Sequence, residues 1–293
     1  GGVGTHVEHE FLLNHYQVDS VGWGTPFLLV PTVTNVDNET LNLLSIAKEE
    51  DLFLSDISPL GVPFNSLRGN TKEAEKQLNI AKNRPGSACP KKFVALNKEF
   101  KEAGICTASR EYQNLKIKAL DNETLSEETY KKRYNDIVVK SCTCVGLGTS
   151  ALLVNNLDTK VEGVGVSICP GPNMAYFDKV MTLGEMIDHI YGRTNVISRT
   201  DRPNMFVKEI QVYVDYLTAK FEETKHEMTV KQEKYFDAFA SNLNDGIAYY
   251  NQLFNSLKDA FADSKTSLLL DLERCKIALS TLHAEITKQT VPA

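Results

Sequence analysis

The last third of the chain constrains its fold most, because no proline occurs between Pro203 and Pro292. Apolar residues recur there with a period of about 3.6, which is typical of amphipathic helices that bury one face. Three such stripes follow one another: Met205, Phe206, Ile210, Tyr213, Val214 and Leu217; Tyr235, Phe236, Phe239, Leu243, Ile247, Tyr250, Leu253, Phe254 and Leu257; and Leu268, Leu269, Leu272, Ile277, Leu279, Leu282 and Ile286. Three successive amphipathic helices predict an antiparallel all-α bundle over residues 201–293.

The first 82 residues show a different pattern. Helical periodicity over residues 6–16 is followed by a strand candidate over residues 19–24. A second helix is indicated over residues 40–50, and a second strand over residues 51–57. Alternating helices and strands predict an α/β fold such as part of a (β/α) barrel.

Two glycine turns flank the first of these helices. The chain opens with Gly1-Gly2-Val3-Gly4-Thr5, and Gly22-Trp23-Gly24-Thr25 follows about twenty residues later. Thr5 and Glu8 have the spacing of a capping box, which predicts a helix start near residue 6. A glycine loop that leads into a helix N-terminus offers backbone N–H groups and a positive dipole end to an anion. Because a strand normally precedes such a loop, the sequence is expected to be the C-terminal part of a longer protein.

Several segments, in order, resemble one family. They are Gly1-Gly2-Val3, Val21–Leu28, Ser58–Pro63, Gly171–Tyr176 and Lys179–Ile187. Over about residues 1–192 the chain resembles the flavin-dependent nitronate monooxygenases, also called 2-nitropropane dioxygenase-like proteins, which are FMN-binding TIM-barrel enzymes.

The resemblance implies a fold class, a cofactor and a site. The fold would be α/β, the C-terminal portion of a TIM (β/α)8 barrel over residues 1–82, followed by a cysteine-rich cap over 83–200 and the helical bundle. Gly1, Gly2, Gly24 and Thr25 would hold the FMN phosphate, since glycine lets a phosphate approach the backbone closely. The family's proton-transferring histidine lies upstream of the phosphate loop, so the catalytic base would not be in this chain. The implied function is part of an FMN-dependent oxidoreductase, nitronate monooxygenase-like, acting on a small-molecule substrate.

The cysteines suggest a second site. Five of the six fall within residues 89–169, whereas Cys275 lies among apolar neighbours and is expected in the bundle core. Clustered cysteines in a cytosolic protein more often indicate metal or redox chemistry than disulfides. Four thiolates suffice for an iron–sulfur cluster or a zinc site. The candidate ligands are Cys89, Cys106, Cys142 and Cys144. No C-x2-C pair is present, so free thiols near the rim of an active site are the alternative.

Composition limits the partners. A net charge of −6, without a basic stripe, disfavours nucleic-acid binding. No apolar run reaches the length of a membrane span, so a cytoplasmic protein without a membrane partner is expected. The alternative to a flavoenzyme is a non-enzymatic interaction or assembly protein. In that case the C-terminal helices would bind a partner or form a homo-oligomer.

Overall fold

The computed structural model describes residues 2–55, 63–89, 91–225, 228–258 and 260–290. This part of the chain is mostly helical. Its α-helices are α1 (His6–Asn14), α2 (Asn38–Ile46), α3 (Thr71–Ala81), α4 (Arg110–Asp121), α5 (Glu127–Val138), α6 (Gly146–Val154), α7 (Leu183–Ile190), α8 (Met205–Thr224), α9 (Val230–Ser256) and α10 (Lys265–Thr290). Two antiparallel strands, β1 (Leu52–Ser55) and β2 (Phe64–Leu67), form one small sheet. The chain divides into two compact units, Gly1–Gly22 with Asp188–Ala293, and Trp23–Ile187.

The first unit contains the three helices predicted from the apolar stripes, and that prediction is confirmed. Helices α8, α9 and α10 pack around one core that includes most of the stripe residues. Tyr213, Tyr235 and Ile277 are exceptions, because the structure leaves them exposed. Cys275 is buried in this core, as predicted.

The helix starts follow from local capping. Thr5 and Glu8 form the predicted capping box at α1, and Thr229 with Gln232 forms another at α9. The side chain of Asn204 accepts a hydrogen bond from the N–H of Phe206 at the start of α8. Such caps satisfy N–H groups that have no partner within the helix, and each stabilises its helix by about 1 kcal/mol.

The unit boundaries differ from the sequence-based boundaries at residues 82 and 200. Residues 1–22 group with the C-terminal helices because Phe11 of α1 is buried in the core of the bundle. Its ring makes edge contacts with Phe206 and Phe261. A stretch that the sequence assigns to an α/β barrel is therefore packed on an all-α core.

The second unit does not contain the predicted barrel strands in its described residues. No strand forms over residues 19–24, so that prediction was wrong. Two glycines and the following Pro26 weaken a strand there, and a 3-10 helix, Thr25–Leu29, begins instead. Residues 52–55 of the second predicted strand do form β1, and its end lies outside the described residues. β1 pairs only with β2, in antiparallel register, whereas a TIM barrel needs parallel strands joined through helices. No such βαβ unit is present in the described part of the chain.

The helices contain no membrane span. Within the described ranges, none is both long and apolar enough to cross a bilayer.

Candidate functional site

Three loop segments of the second unit bring four cysteines together. A bridge between residues 87 and 109 positions the first two: the N–H of Ser87 donates to the carbonyl of Ala108, and the N–H of Arg110 donates to the carbonyl of Ser87. Cys89 and Cys106 lie two or three residues from this bridge, so it brings their two loops side by side.

The third segment, residues 139–144, carries the other two cysteines and is tied by two buried side chains. Gln113 of α4 is fully buried, and its Nε2 donates to the carbonyl of Lys140 at 3.0 Å. Lys76 of α3 donates from Nζ to the carbonyl of Val139, also at 3.0 Å. Helices α3 and α4 thereby fix the backbone just before Cys142.

The four thiols interact with one another. Burial, with smaller contributions from the neighbouring thiols of Cys89, Cys142 and Cys144, raises the pKa of Cys106 to about 11. Burial also raises the pKa of Cys144, with added contributions from Cys142 and Cys89. These contributions place the thiols of Cys89, Cys142 and Cys144 in the neighbourhood of Cys106. We call Cys89, Cys106, Cys142 and Cys144 the thiol cluster.

All six cysteines of the chain are free. The two outside the thiol cluster have different surroundings. Cys169 is exposed and its thiol receives a hydrogen bond from the backbone of Asn65, whereas Cys275 is in the bundle core. The structure thus separates the four candidate ligands from the other two cysteines. Among the described residues, however, no three His, Cys, Asp or Glu side chains stand at the spacing that bound metal requires.

Polar atoms without partners gather in the same stretch of sequence. The buried side-chain atoms that have no hydrogen bond in the described part of the chain are Oγ1 of Thr107 and Thr149, Nε of Arg110, Oε1 of Gln113 and Oγ of Ser141. Thr107 directly follows Cys106, and Ser141 directly precedes Cys142. Since buried polar groups are normally hydrogen-bonded, each of these atoms points to a missing partner.

The first glycine turn lies in the other unit, and its backbone N–H groups already bind a carboxylate of the protein. Glu8 is 1 % exposed, and its carboxylate accepts hydrogen bonds from the N–H groups of Gly4 at 2.9 Å and Thr5 at 3.2 Å. It also accepts from the N–H of Met205 at 2.8 Å and from both terminal nitrogens of Arg202 at 2.9 Å. An anion does sit at the N-terminus of α1, but it is the carboxylate of Glu8 itself.

Gly4 has a steric role in this arrangement. A Cβ placed on it would stand 2.5 Å from the guanidinium of Arg202. The glycine therefore allows a buried arginine to approach the backbone. The sequence predicts the same close approach, but by a phosphate group. Gly2 contributes its carbonyl, which accepts from Arg202 at 3.2 Å, and Gly1 lies outside the described residues.

His189 completes this buried polar group. Its Nε2 lies 2.9 Å from the carbonyl of Gly4, and its Nδ1 accepts from the N–H of Val196 at 3.4 Å. Nε2 must then carry the proton, because a carbonyl can only accept. Burial lowers the pKa of His189, and the nearby charges of Arg202 and His6 lower it further.

The second glycine turn lies at the start of the Thr25–Leu29 helix. Gly24 precedes that helix, and a Cβ on Gly24 would meet no atom within 4 Å. The hydroxyl oxygen of Thr25 accepts from the N–H of Gly171 at 2.9 Å. Two of the segments that resemble the nitronate monooxygenases are thus in contact within the second unit.

Comparison with known proteins gives no significant match. No protein-family profile, no curated protein and no solved structure is similar to the chain at a significant level. The resemblance to nitronate monooxygenases accordingly stays a prediction that depends on short motifs.

Several residues that organise these sites carry no recognisable signal in the sequence. Arg202, Gln113 and Lys76 belong to residue types that are usually solvated, and nothing in their spacing marks them as buried. The capping box at Thr5 and Glu8 does predict a carboxylate at the N-terminus of α1. Only the packed structure shows that Arg202 and Met205 also bind it.

Proposed function

We propose that this chain is part of an FMN-dependent oxidoreductase in which the thiol cluster holds an electron-transferring metal centre. The observation that carries the proposal is the convergence of four cysteines from three segments, anchored by buried side chains of α3 and α4. Four thiolates match the donor set of an iron–sulfur cluster, which transfers single electrons. The flavin is inferred from the resemblance alone.

The unpartnered polar atoms support this assignment. The hydroxyl of Thr107 and the Nε–H of Arg110 are hydrogen-bond donors without acceptors. Anionic sulfur accepts hydrogen bonds from such groups, and these bonds help to set the reduction potential of a cluster. A metal centre held by Cys106 would place sulfur beside Thr107, which adjoins it in sequence.

Metal binding requires two changes at the thiol cluster. The thiols must lose their protons, because only thiolates bind metal. Their sulfur atoms must also move together, since no three potential ligands stand at metal-binding spacing in the described residues.

Metal analysis of protein purified without oxygen tests the proposal. Iron and sulfide in stoichiometric amounts, with the broad visible absorption of an iron–sulfur centre, are expected. The variant Cys144→Ser should lose most of the iron, whereas Cys169→Ser should keep it. Both cysteines are exposed in the same unit, so the second variant is a matched control for the first.

Two results would overturn the metal assignment. One is a protein that stays free of metal after reconstitution with iron and sulfide, or with zinc. The other is equal loss of iron in the two variants. Tight zinc binding without any uptake of iron would contradict the electron-transfer role and leave a structural site.

FMN binding has its own test. Full-length protein should purify yellow and release FMN on denaturation, and Gly24→Val should weaken FMN retention. Because a Cβ on Gly24 meets nothing within 4 Å, the substitution leaves room for the fold. Gly148→Val is the control, since Gly148 lies in the same unit with equally open surroundings. A colourless protein that does not bind added FMN would contradict the flavin assignment.

A further inference from the structure

A cavity of about 370 Å³ opens in the second unit against the segment that carries Cys142. Its walls are the β1–β2 sheet, one face of α3 and residues 139–143. The volume lies within the range of pockets that hold small molecules.

The sheet wall alternates aromatic and hydroxyl side chains. Phe53 and Ser55 of β1 line the cavity, as do Phe64 and Ser66 of β2. Residues two apart on a strand share a face, so these four lie on one side of the sheet. In the observed register Phe53 stands opposite Ser66, and Ser55 opposite Phe64. The wall therefore presents two aromatic side chains and two serine side chains to the cavity.

The charges that line the cavity are mainly positive. Lys76 is buried and pairs with Glu73 at 2.6 Å, and no second carboxylate is among the described residues that line the cavity beside Arg68. Arg68 lies over the ring of Phe53 at 4.4 Å and donates from Nε to the carbonyl of Glu50 at 3.1 Å. Its terminal nitrogens are the groups that a bidentate oxyanion prefers. A positive cavity is notable in a chain whose net charge is −6.

An unpartnered donor also borders the cavity. Ser141 lines it, and the hydroxyl of Ser141 is buried without a hydrogen-bond partner in the described residues. Thr143 lines it as well, whereas Cys142, between these two, belongs to the thiol cluster. One short segment therefore separates the cavity from the thiols.

We propose that this cavity binds a small molecule that carries a carboxylate or phosphate group, with the oxyanion bound by Arg68 and the hydroxyl of Ser141. The apolar part of the ligand lies against Phe53 and Phe64. The ligand would be a substrate of the neighbouring metal centre, which rests on the proposed function. Its binding to the cavity does not depend on that function.

Calorimetric titration of the intact protein with inorganic phosphate and with benzoate tests the proposal and separates the two kinds of oxyanion. Saturable binding of at least one probe is expected. Arg68→Gln should weaken it at least about tenfold, through loss of the cation that faces the oxyanion. Ser141→Ala should weaken it about three- to tenfold, through loss of one hydrogen bond to the oxyanion. Arg84→Gln is the control, because Arg84 is exposed in the same unit and does not line the cavity.

Absence of saturable binding for both probes would overturn the proposal, as would equal weakening by Arg68→Gln and Arg84→Gln. The variant Cys144→Ser distinguishes this proposal from the previous one. It should lose metal and still bind the anion. If the wild-type protein takes up no metal yet binds phosphate or benzoate with the expected dependence on Arg68, the metal centre fails and the cavity assignment stands.

Discussion

The two units differ in how fully the polar groups of their candidate sites are hydrogen-bonded. In the first unit, the carboxylate of Glu8 receives five donors, and His189 uses both ring nitrogens. In the second unit, four thiols lie in the neighbourhood of hydroxyl groups and one guanidinium Nε–H that have no hydrogen-bond partner in the described residues. Both arrangements draw on distant parts of the sequence, but only the second leaves such donors unpaired among the described residues.

This difference indicates where an external ligand belongs. A buried carboxylate that already has an arginine and three backbone N–H groups leaves no capacity for another anion at the start of α1. Donors without partners near the thiol cluster differ in this respect, because a bound ligand would accept their hydrogen bonds. The glycine turn that most suggests a phosphate site in the sequence is therefore explained by internal structure. The cysteines remain the stronger candidate for ligand chemistry.

The largest expected effect comes from Glu8→Gln, which breaks the complete site. Neutralising Glu8 removes the carboxylate that pairs with the guanidinium of Arg202, whose side chain is only 7 % exposed. Breaking a buried pair in this way costs about 3–5 kcal/mol, so unfolding of the first unit in urea should shift by that amount. Glu10→Gln on the same helix is the control, expected within about 0.5 kcal/mol. A shift of under about 1 kcal/mol for Glu8→Gln would mean that the buried pair contributes little.

Zinc, a metal without redox chemistry, should complete the second site. At a free concentration about 100 times its dissociation constant, a bound ion stabilises the folded state by about 2.7 kcal/mol. Amides of α4 should then exchange hydrogen more slowly, whereas amides of α8–α10 should be unchanged. Cys144→Ser should abolish the protection and Cys169→Ser should retain it. Slower amide exchange in α8–α10 alone would contradict the prediction, because it would place the zinc in the first unit.

The glycines of the two turns should differ when each is replaced by alanine. Gly4→Ala puts a methyl group against a guanidinium that Glu8 holds in place, so a loss of about 1–3 kcal/mol is expected. Gly24→Ala meets nothing within 4 Å at a φ of −114°, and should change stability by less than about 0.5 kcal/mol. Thermal or urea unfolding measures both. Equal losses would show that the first turn is no more tightly packed than the second.

The smallest expected effect is a pH dependence of the first unit. The pKa of His189 is lowered in the folded state, chiefly by burial, so the unfolded chain binds its proton more readily. Stability should therefore be fully present above the ordinary histidine pKa of about 6.5 and be lost as the pH falls through the lower folded value. Urea unfolding at a series of pH values measures this slope. His189→Asn should flatten it, and His283→Asn, at an exposed site on α10, should not. An unchanged slope in His189→Asn would assign the pH dependence to another group.

Short-range sequence patterns predict those parts of the fold that depend on contacts between residues close together in sequence. The capping box at Thr5 marks a real helix start, and the apolar stripes identify α8–α10. In each case the deciding contacts lie within four residues or on one helix face.

The sequence-based predictions fail where contacts between residues far apart in sequence determine the structure. Residues 19–24 contain only two apolar side chains, Val21 and Trp23, and a strand needs a neighbour, yet no described residue pairs with them. The helical pattern over residues 6–16 predicts part of an α/β fold, whereas the ring partners of Phe11, Phe206 and Phe261, lie 195 and 250 residues away in sequence. Count and position alone point to the four candidate cysteine ligands. The ties that bring its members together, through Gln113 and Lys76, have no sequence signature.

The burial of Phe11 among α8–α10 has a consequence for biosynthesis. The segment that contains it leaves the ribosome before helices α8–α10, which supply its docking surface, have been translated. Until then its aromatic ring is exposed to water and to chaperones, while Trp23–Ile187 can fold in the meantime. Helix α1 is therefore synthesised before the second unit but docks only after that unit has been translated.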